Sequence, residues 1–311
     1  MRSPSILILA LCAGLLAMGP THAAPTLAAP TQAAPAPAPP PVDLPPPAIY
    51  TDPAPDPAHP ARMEVLHIPS HGVNINGVAY LASGAGEHPT LILLHGLPGN
   101  EKNLDLAQAV RRAGWNVVTF NYRGSWGSPG AFRFGQTLED ADSVLAYVRD
   151  PANAKALGVD VHHLVIAGHS MGGWVAVNTA AHDKGLVGVI SISAGDMARL
   201  GAAPLAFREK EMAGDMESLA GVTAQSMAQD VASPAVTQYP MPKAAPGLVH
   251  TPYLAMTSDD GLGQDTDALV AAIRAQGGTQ ATTVHAPTDH AWSDRRIALE
   301  SLIVLWLQGV K

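Results

Sequence analysis

The amino-acid sequence predicts an α/β fold, in which a mostly parallel central sheet is flanked by helices and carries a small helical cap. Short apolar runs alternate with segments of helical spacing from Met63 onward, as expected of strands joined by crossover helices. Several of these runs are continuous, which is typical of strands buried on both faces. One long stretch, residues 196–249, interrupts the alternation.

The strands are predicted from the apolar runs in chain order. The first two are expected to form a hairpin across the segment SHGVNING, and the third, TLILLHG, is a short continuous apolar run. The expected strands are 63–68, 77–82, 90–96, 115–122, 163–168, 186–195, 251–258 and 279–286.

The helices are predicted from apolar residues at helical spacing and from end signals. Gly114 suits the position after a helix C-terminus, and Thr137 is expected to be the N-cap of the second helix. The expected helices are 103–114, 137–150, 171–182, 265–277 and 295–308.

Residues 196–249 are predicted to form a helical cap over the ligand site. They lie between two strands, at the edge where α/β sheets bind ligands, and an insertion of that length is usually functional. Methionine packs adaptably, so a mobile apolar cap is expected to form one wall of an acyl pocket, with Phe207 and Met212 as the test positions. Its apolar residues are Met197, Leu200, Leu205, Phe207, Met212, Met216, Leu219 and Met227. The alternative is that they only pack the cap onto the sheet.

The N-terminal part is expected to direct export. Residues 1–23 have Arg2, an apolar run and small residues before Ala24, which predicts a signal peptide cut after Ala23. An uncleaved anchor is the alternative. Residues 24–62 are Ala/Pro-rich and are expected to be an extended or disordered linker, followed by the folded domain at 63–311. Cleavage would leave no stable membrane insertion and a periplasmic or secreted protein.

The amino-acid composition of the chain limits the kinds of binding partner that we expect. The net charge is -8, from 18 basic and 26 acidic residues, and no basic cluster stands out, so nucleic acid is not an expected partner. Cys12 is the only cysteine, so the mature chain would have no disulfide or thiol chemistry. His162 and His163 lack a metal-ligand spacing and are expected to be solvated residues at a strand start.

The segment GHSMGG places Ser170 between Gly168 and Gly172, directly after an apolar strand and before a helix. In this context G-x-S-x-G predicts a sharp turn that pushes the serine hydroxyl into a cleft. Glycines on both sides remove side chains that would clash there. Ser170 is therefore the candidate nucleophile, and a tight glycine turn is the structural alternative.

A serine nucleophile needs a base and an acid that orients it. Two aspartates, Asp259 and Asp260, follow the seventh strand, and Asp260 is preferred because it lies nearer the loop. His290 lies in the loop after the last strand, whereas His285 lies within that strand, so His290 is preferred as the base.

An oxyanion hole needs two N–H donors aimed at the developing negative charge. One is expected from the backbone of Met171, which follows the nucleophile. The other is expected from the segment HGLPG, with Leu97 preferred because Pro98 cannot donate.

Together, HGLPG, NYRGSWGSPG, GHSMGG, SDDG and TDHAWSDRRIAL resemble the α/β-hydrolase superfamily over nearly all of residues 63–311. The layout is similar to its serine-peptidase and dienelactone-hydrolase side, while GHSMGG is equally common in esterases and lipases. The resemblance implies the α/β-hydrolase fold, a Ser170–His290–Asp260 triad, an oxyanion hole at Leu97 and Met171, and no cofactor or metal.

The expected function is hydrolysis of carboxylic esters through an acyl-enzyme, with a small-molecule ester or a short peptide as substrate. A peptidase or acylaminoacyl-type amidase and a non-catalytic binding protein on the same scaffold are the alternatives. Arg123 and Asp140 are expected to form a salt bridge or helix cap rather than to bind substrate. Trp126, Trp174 and Trp292 flank the motifs and are expected either to line the pocket or to lie in the core.

Overall fold

The computed structural model of the protein describes residues 44–214 and 216–310. In these ranges eight strands form one sheet in the order β1-β2-β4-β3-β5-β6-β7-β8. The expected signal peptide with Cys12, and residues 24–43 of the expected linker, lie outside the described residues. The strands are β1 Arg62–Ser70, β2 Val73–Leu81, β3 His88–Leu94, β4 Asn116–Phe120, β5 Val159–His169, β6 Leu186–Ile192, β7 Tyr253–Ser258 and β8 Ala281–Ala286.

The sheet is antiparallel at one end and parallel elsewhere, as the sequence predicts. Strands β1 and β2 form the expected hairpin, and β2 pairs antiparallel with β4. Every other neighbouring pair, from β4–β3 through β7–β8, is parallel. The carboxyl ends of β3, β5, β6, β7 and β8 therefore meet at one edge, where ligands bind in folds of this kind.

Helices cover both faces of the sheet, as predicted. One face packs against α3, α5 and α11 and the other against α2 and α12. The helices are α1 Pro47–Tyr50, α2 Leu104–Arg112, α3 Phe134–Arg149, α4 Pro151–Leu157, α5 Met171–His182, α6 Met197–Gly201, α7 Leu205–Met212, α8 Ala224–Asp230, α9 Pro234–Thr237, α10 Ala245–Leu248, α11 Gly263–Ala275 and α12 Arg296–Gly309, with a 3-10 helix at Met241–Ala244.

Strand β3 shows why a continuous apolar run predicts a buried central strand. Leu91 and Leu93 pack with α2 and α12, whereas Ile92 and Leu94 pack on the opposite face with α3 and α5. Because successive side chains point to opposite faces, both sets must be apolar. Full burial of each such side chain contributes about 1.5–3 kcal/mol.

Helix α3 begins earlier than the sequence predicts, and Thr137 is not its N-cap. The first helical residue is Phe134, whose N–H donates to the Asp230 carboxylate at 2.7 Å. Thr137 lies inside the first turn and donates its hydroxyl to the Phe134 carbonyl. The N-terminus of α3 is therefore capped by a carboxylate that is distant in sequence and not by a local side chain.

The short helix α4, which the sequence analysis did not predict, begins where the Asp150 carboxylate accepts two backbone N–H groups.

The described part of the predicted linker departs from an extended or disordered chain. Residues Pro47–Tyr50 form one helical turn that packs against α2 and α12. Arg112 Nε donates to the Ala48 carbonyl at 2.6 Å, and Pro46 is buried. A Pro-rich composition removes donors but leaves carbonyls free to accept, which is how the folded domain holds this turn.

The segment between β6 and β7 is helical where the structure describes it. It holds α6 to α10 and the 3-10 helix, with no strand among its described residues. Leu219 forms a single antiparallel bridge with Ser125, which fastens the middle of the segment to the loop after β4. Within the ranges described, no helix is long and apolar enough to cross a membrane.

Candidate active site

Ser170 occupies a strained turn between β5 and α5. Its backbone has φ 57 and ψ -123, outside the regions that most non-glycine residues adopt. The Ser170 N–H donates to the Ile192 carbonyl of β6, and the Ser170 carbonyl accepts from Gly173. Such strain persists only where surrounding contacts fix the conformation, and it is concentrated at functional sites.

The flanking glycines are required by close backbone approach. A Cβ added to Gly168 would lie 2.0 Å from the Gly172 carbonyl oxygen, and one on Gly172 would lie 2.6 Å from the His95 carbonyl oxygen. A Cβ on Gly96 would lie 2.8 Å from the Cβ of Ser170. The elbow and the loop after β3 therefore pack too tightly for any larger residue at these positions.

His290 and Asp260 form a hydrogen-bonded pair at the carboxyl ends of β8 and β7. His290 Nδ1 lies 2.7 Å from Asp260 Oδ2, and the Asp260 side chain is only 5% exposed. Burial alone would raise the pKa of Asp260, but hydrogen bonds from His290 and the Leu262 N–H bring it below its ordinary value. The carboxylate is therefore ionised at neutral pH and accepts the Nδ1 proton, which leaves Nε2 free to act as a base.

The second aspartate and histidine form a separate, exposed pair. His285 Nε2 lies 3.1 Å from Asp259 Oδ1, and the side chains are 57% and 62% exposed. His285 Nδ1 also contacts Thr257 Oγ1. Asp260 is therefore hydrogen-bonded to His290, and Asp259 is hydrogen-bonded to His285.

His169, the neighbour of Ser170 in sequence, lies against His290. The two rings have centroids 4.6 Å apart, and His169 Nε2 lies 2.9 Å from the His290 carbonyl oxygen. Burial lowers the pKa of His169 to about 4, so this ring stays neutral beside His290. No hydrogen bond joins Ser170 Oγ to the His290 ring within the described residues; in general-base catalysis that contact commonly tightens in the Michaelis complex.

The backbone N–H groups of Met171 and Leu97 are available near Ser170. Met171 is the first residue of α5, where a helix offers no internal acceptor. Among the described residues neither N–H donates to a backbone carbonyl. Both residues line one cavity of about 390 Å³ together with Ser170. This is the placement that the sequence predicted for two oxyanion donors.

The side chains of His95 and Trp126 hydrogen-bond to the backbone of the loop that carries Leu97. His95 Nδ1 lies 2.7 Å from the Gly96 carbonyl oxygen, and burial lowers the pKa of His95 to about 4. Trp126 Nε1 donates to the Pro98 carbonyl at 2.7 Å. Sequence reasoning singled out Trp126 only as a flanking aromatic residue and did not predict this contact.

The cavity beside Ser170 has an apolar wall and a charged end. Four of the eight apolar cap residues line it, namely Met197, Leu200, Phe207 and Met212. The other four, which the sequence analysis also expected at the wall, do not line it: Leu205, Met216, Leu219 and Met227. Its other end holds Asp196 and an Arg199–Asp265 ion pair, in which Arg199 Nη2 donates to Asp265 at 2.8 Å. Sequence reasoning missed this end, because the two partners lie 66 residues apart and no local pattern links them.

The remaining candidate residues have structural surroundings. Asp140 accepts from Arg123 Nε at 2.6 Å and from the Ser70 hydroxyl, so the expected salt bridge is present and buried. Trp174 and Trp292 are fully buried. The described residues contain no group of three or more His, Cys, Asp or Glu side chains that could hold a metal ion.

A serine elbow at the carboxyl edge of a mostly parallel sheet is the arrangement of an α/β-hydrolase. The chain belongs to the alpha/beta hydrolase family, whose sequence model matches residues 91–309. The protein is therefore, in broad class, a hydrolase, as the sequence resemblance implied.

Solved structures share the fold at low sequence identity. An esterase of Pyrobaculum calidifontis has a TM-score of 0.61 at 21% identity, over 82% of this chain and 88% of that one. An acylaminoacyl peptidase of Pyrococcus horikoshii has a TM-score of 0.60 at 14% identity, over 80% of this chain and 42% of that one. At these identities the likeness concerns the fold alone.

Among curated proteins, an sn-1-specific diacylglycerol lipase of Xenopus tropicalis is 32% identical over 126 residues. The match spans 38% of this chain and 35% of the lipase. The chain thus matches about a third of that protein's length.

Proposed function

We propose that the protein is an exported serine hydrolase that cleaves carboxylic esters through an acyl-enzyme on Ser170. The observation that carries the proposal is the strained elbow at Ser170, whose neighbour His169 packs against the His290 ring. That ring is hydrogen-bonded at 2.7 Å to the largely buried Asp260. An exposed, unstrained serine would carry no such proposal, because its hydroxyl is a weak nucleophile without a base.

In the first step His290 Nε2 takes the proton of the Ser170 hydroxyl while Oγ attacks the ester carbonyl carbon. The negative charge that develops on the carbonyl oxygen is stabilised by the N–H groups of Met171 and Leu97. The bond from carbon to the leaving oxygen then breaks, and His290 gives its proton to the departing alcohol. The products are the alcohol and an ester of Ser170.

In the second step a water molecule takes the place of the alcohol. His290 accepts one of its protons, the hydroxyl oxygen attacks the acyl carbon, and the bond to Ser170 Oγ breaks as the serine is reprotonated. Asp260 stays ionised throughout, which holds Nδ1–H in place and stabilises the charged imidazole. The carboxylic acid is released.

Two considerations favour esters over amides. The cavity beside Ser170 has an apolar wall formed by cap residues, including Phe207 and Met212, which suits an acyl chain. The similarity of 126 residues to an sn-1-specific diacylglycerol lipase also supports an ester substrate. The fold shared with an acylaminoacyl peptidase makes an amide substrate the competing outcome of the test below.

The test is a substrate panel on the purified mature protein, combined with a fluorophosphonate probe. We expect hydrolysis of p-nitrophenyl esters, little hydrolysis of aminoacyl-p-nitroanilides, and labelling that disappears in Ser170→Ala. Faster turnover of the anilides would reassign the protein as an amidase. A chain that neither labels nor turns over any substrate would be a binding protein.

Export is the second part of the proposal and rests on residues 1–23. Cell fractionation and the mass of the mature N-terminus test it. We expect the chain outside the cytoplasm and beginning at Ala24. A full-length chain in the cytoplasmic fraction would contradict export and leave the proposed chemistry unaffected.

A further inference from the structure

A buried polar network lies beside the His290–Asp260 pair and has no role in the mechanism above. Its members are Ser193, directly after β6, Ser258, the last residue of β7, and Trp292, in the loop that carries His290. All three are at most 3% exposed. Polar groups buried this deeply are stable only when they are hydrogen-bonded.

The three side chains form a continuous set of hydrogen bonds. Trp292 Nε1 donates to Ser193 Oγ at 3.0 Å, and Ser193 Oγ lies 2.7 Å from Ser258 Oγ. Because an indole can only donate, Ser193 Oγ is the acceptor of that hydrogen bond, and its own proton and second lone pair remain available for Ser258. The Ser258 hydroxyl is in turn one of the groups that lower the pKa of Asp260. The hydrogen bonds therefore run from the His290 loop to the end of β7, two residues before Asp260.

Two of the three residues have a backbone conformation that is unusual for a side-chain-bearing residue. Ser193 has φ 46 and Trp292 has φ 58. Such a conformation is strained and persists only where the surroundings determine it. The Ser193 N–H donates to the Met256 carbonyl of β7, and the Trp292 N–H donates to Asp289. Backbone and side-chain contacts thus fix both residues.

We propose that Ser193 and Trp292 are positioning residues, which hold the His290 loop against the end of β7, two residues before Asp260. The proposal rests on the proposed function, since it assigns a task at the same site. Ser193 is 2% exposed and Trp292 is fully buried, so neither presents its side chain to a substrate. Their loss should therefore reduce kcat and leave KM nearly unchanged.

Ser193→Gly is the most informative variant. Glycine adopts a positive φ without strain, so this variant removes the hydroxyl while suiting the backbone. Trp292→Phe removes the indole donor and keeps an aromatic ring. The matched control is Ser191→Ala, because Ser191 lies two residues earlier on β6, is fully buried and pairs its hydroxyl with Tyr253 at 2.7 Å.

We expect Ser193→Gly and Trp292→Phe to lower kcat by about 10- to 100-fold, the scale of a small misplacement of a catalytic group, with KM within about twofold of wild type. Ser191→Ala should keep the wild-type kcat. Equal kcat losses in Ser193→Gly and Ser191→Ala, or wild-type kcat in both network variants, would overturn the proposal.

A second measurement separates this proposal from the proposed function. The His290 Nδ1 proton, bonded to Asp260, should give a downfield proton NMR signal that is identified by its loss in His290→Ala. We expect the signal to shift or broaden in Ser193→Gly and Trp292→Phe and to stay unchanged in Ser191→Ala. An unchanged signal in the network variants contradicts the positioning role even if the protein hydrolyses no ester, whereas failure of the probe to label Ser170 contradicts only the proposed function.

Discussion

At the scale of single residues, two aspartate–histidine pairs with the same chemistry differ in their surroundings. The Asp260 side chain is 5% exposed and Asp259 is 62% exposed. Low solvent access strengthens an electrostatic interaction, and solvent screens an exposed one. The pair Asp260–His290 can therefore stabilise a charge that forms during reaction, while the pair Asp259–His285 contributes little.

The first prediction concerns the nucleophile. Ser170→Ala should lower kcat on the order of 10⁶-fold, the loss typical when a serine nucleophile is removed. Alanine is small enough for the elbow, although its positive φ remains strained, so the variant should fold. Ester hydrolysis and the circular dichroism spectrum check this. Substantial residual activity in a clean preparation would show that another residue attacks the substrate.

The second prediction compares the two pairs directly. His290→Ala should lower kcat about as much as the serine substitution, because the members of a triad act as a unit, and Asp260→Asn should cost on the order of 10⁴-fold. The matched controls His285→Ala and Asp259→Asn should change kcat little. A reversed order, measured on the same ester, would place the base on β8 and not in the loop after it.

At the scale of elements, the helices after β6 form one wall of the cavity beside Ser170. Helix α7 places Met212 inside, where it is buried, and Phe207 half-exposed at the cavity wall. Leu205 lies on the same helix at a similar exposure and does not line the cavity. One short helix thus offers both test positions and a control.

The third prediction follows from that placement. Phe207→Ala and Met212→Ala should shift the ratio of kcat/KM between short and long acyl esters several-fold, since one methylene is worth about 1–3 kcal/mol. Leu205→Ala should leave the ratio unchanged. If both cavity variants lower kcat/KM equally for all chain lengths, the cap only packs on the sheet and the specificity pocket lies elsewhere.

At the scale of the whole molecule, buried ion pairs connect elements that are distant in sequence. Asp140 of α3 contacts Arg123 after β4 and Ser70 at the end of β1. Removal of Asp140 leaves Arg123 with only the half-exposed Glu139 as a charged partner, and loss of a buried partner costs about 3–5 kcal/mol. Asp142, also on α3, forms an exposed ion pair with His182 of α5. Such an exposed pair contributes about 0–1 kcal/mol to stability.

The fourth prediction uses these two pairs. Asp140→Ala should lower the free energy of unfolding in urea by about 3–5 kcal/mol, and Asp142→Ala by less than about 1 kcal/mol. Turnover of the folded Asp140 variant should match wild type. A stable variant with a raised KM would instead indicate that Arg123 and Asp140 bind substrate.

The fifth prediction concerns stability and pH. Asp105 and Glu300 share the corner where α2, α12 and the turn α1 meet. Burial and the Asp105 carboxylate raise the pKa of Glu300 to about 7. Folding thus favours protonated Glu300, so its contribution to the free energy of unfolding is complete below about pH 4 and lost as the pH rises through about 7.

As the pH rises from about 5 to about 8, the free energy of unfolding should therefore fall less in Glu300→Gln than in wild type, because glutamine stays neutral throughout. Urea unfolding at a series of pH values checks this, with the exposed Glu87→Gln as control. Parallel curves for wild type and Glu300→Gln would show that the carboxyl group titrates normally in the fold.

Much of the fold and site was predictable because the relevant signals are local. The apolar run of β3 implies burial on both faces, and glycines around Ser170 imply a turn that no larger residue permits. The start of α3 was not predictable, since its cap is the Asp230 carboxylate from α8. The turn Pro47–Tyr50 was also missed, because only its docking on α2 and α12 makes a Pro-rich segment adopt one conformation.

The sequence by itself determined the mostly parallel sheet, the elbow at Ser170 and the chain order of the candidate acid and base. Periodicity and glycine placement are properties of a few consecutive residues, so they survive without any coordinates. Only the tertiary structure decided which aspartate meets which histidine, that Trp292 and Ser193 are hydrogen-bonded, and that Arg199 and Asp265 close one end of the cavity. These contacts join residues that are far apart in the chain, and their strength comes from burial, which a linear sequence does not specify.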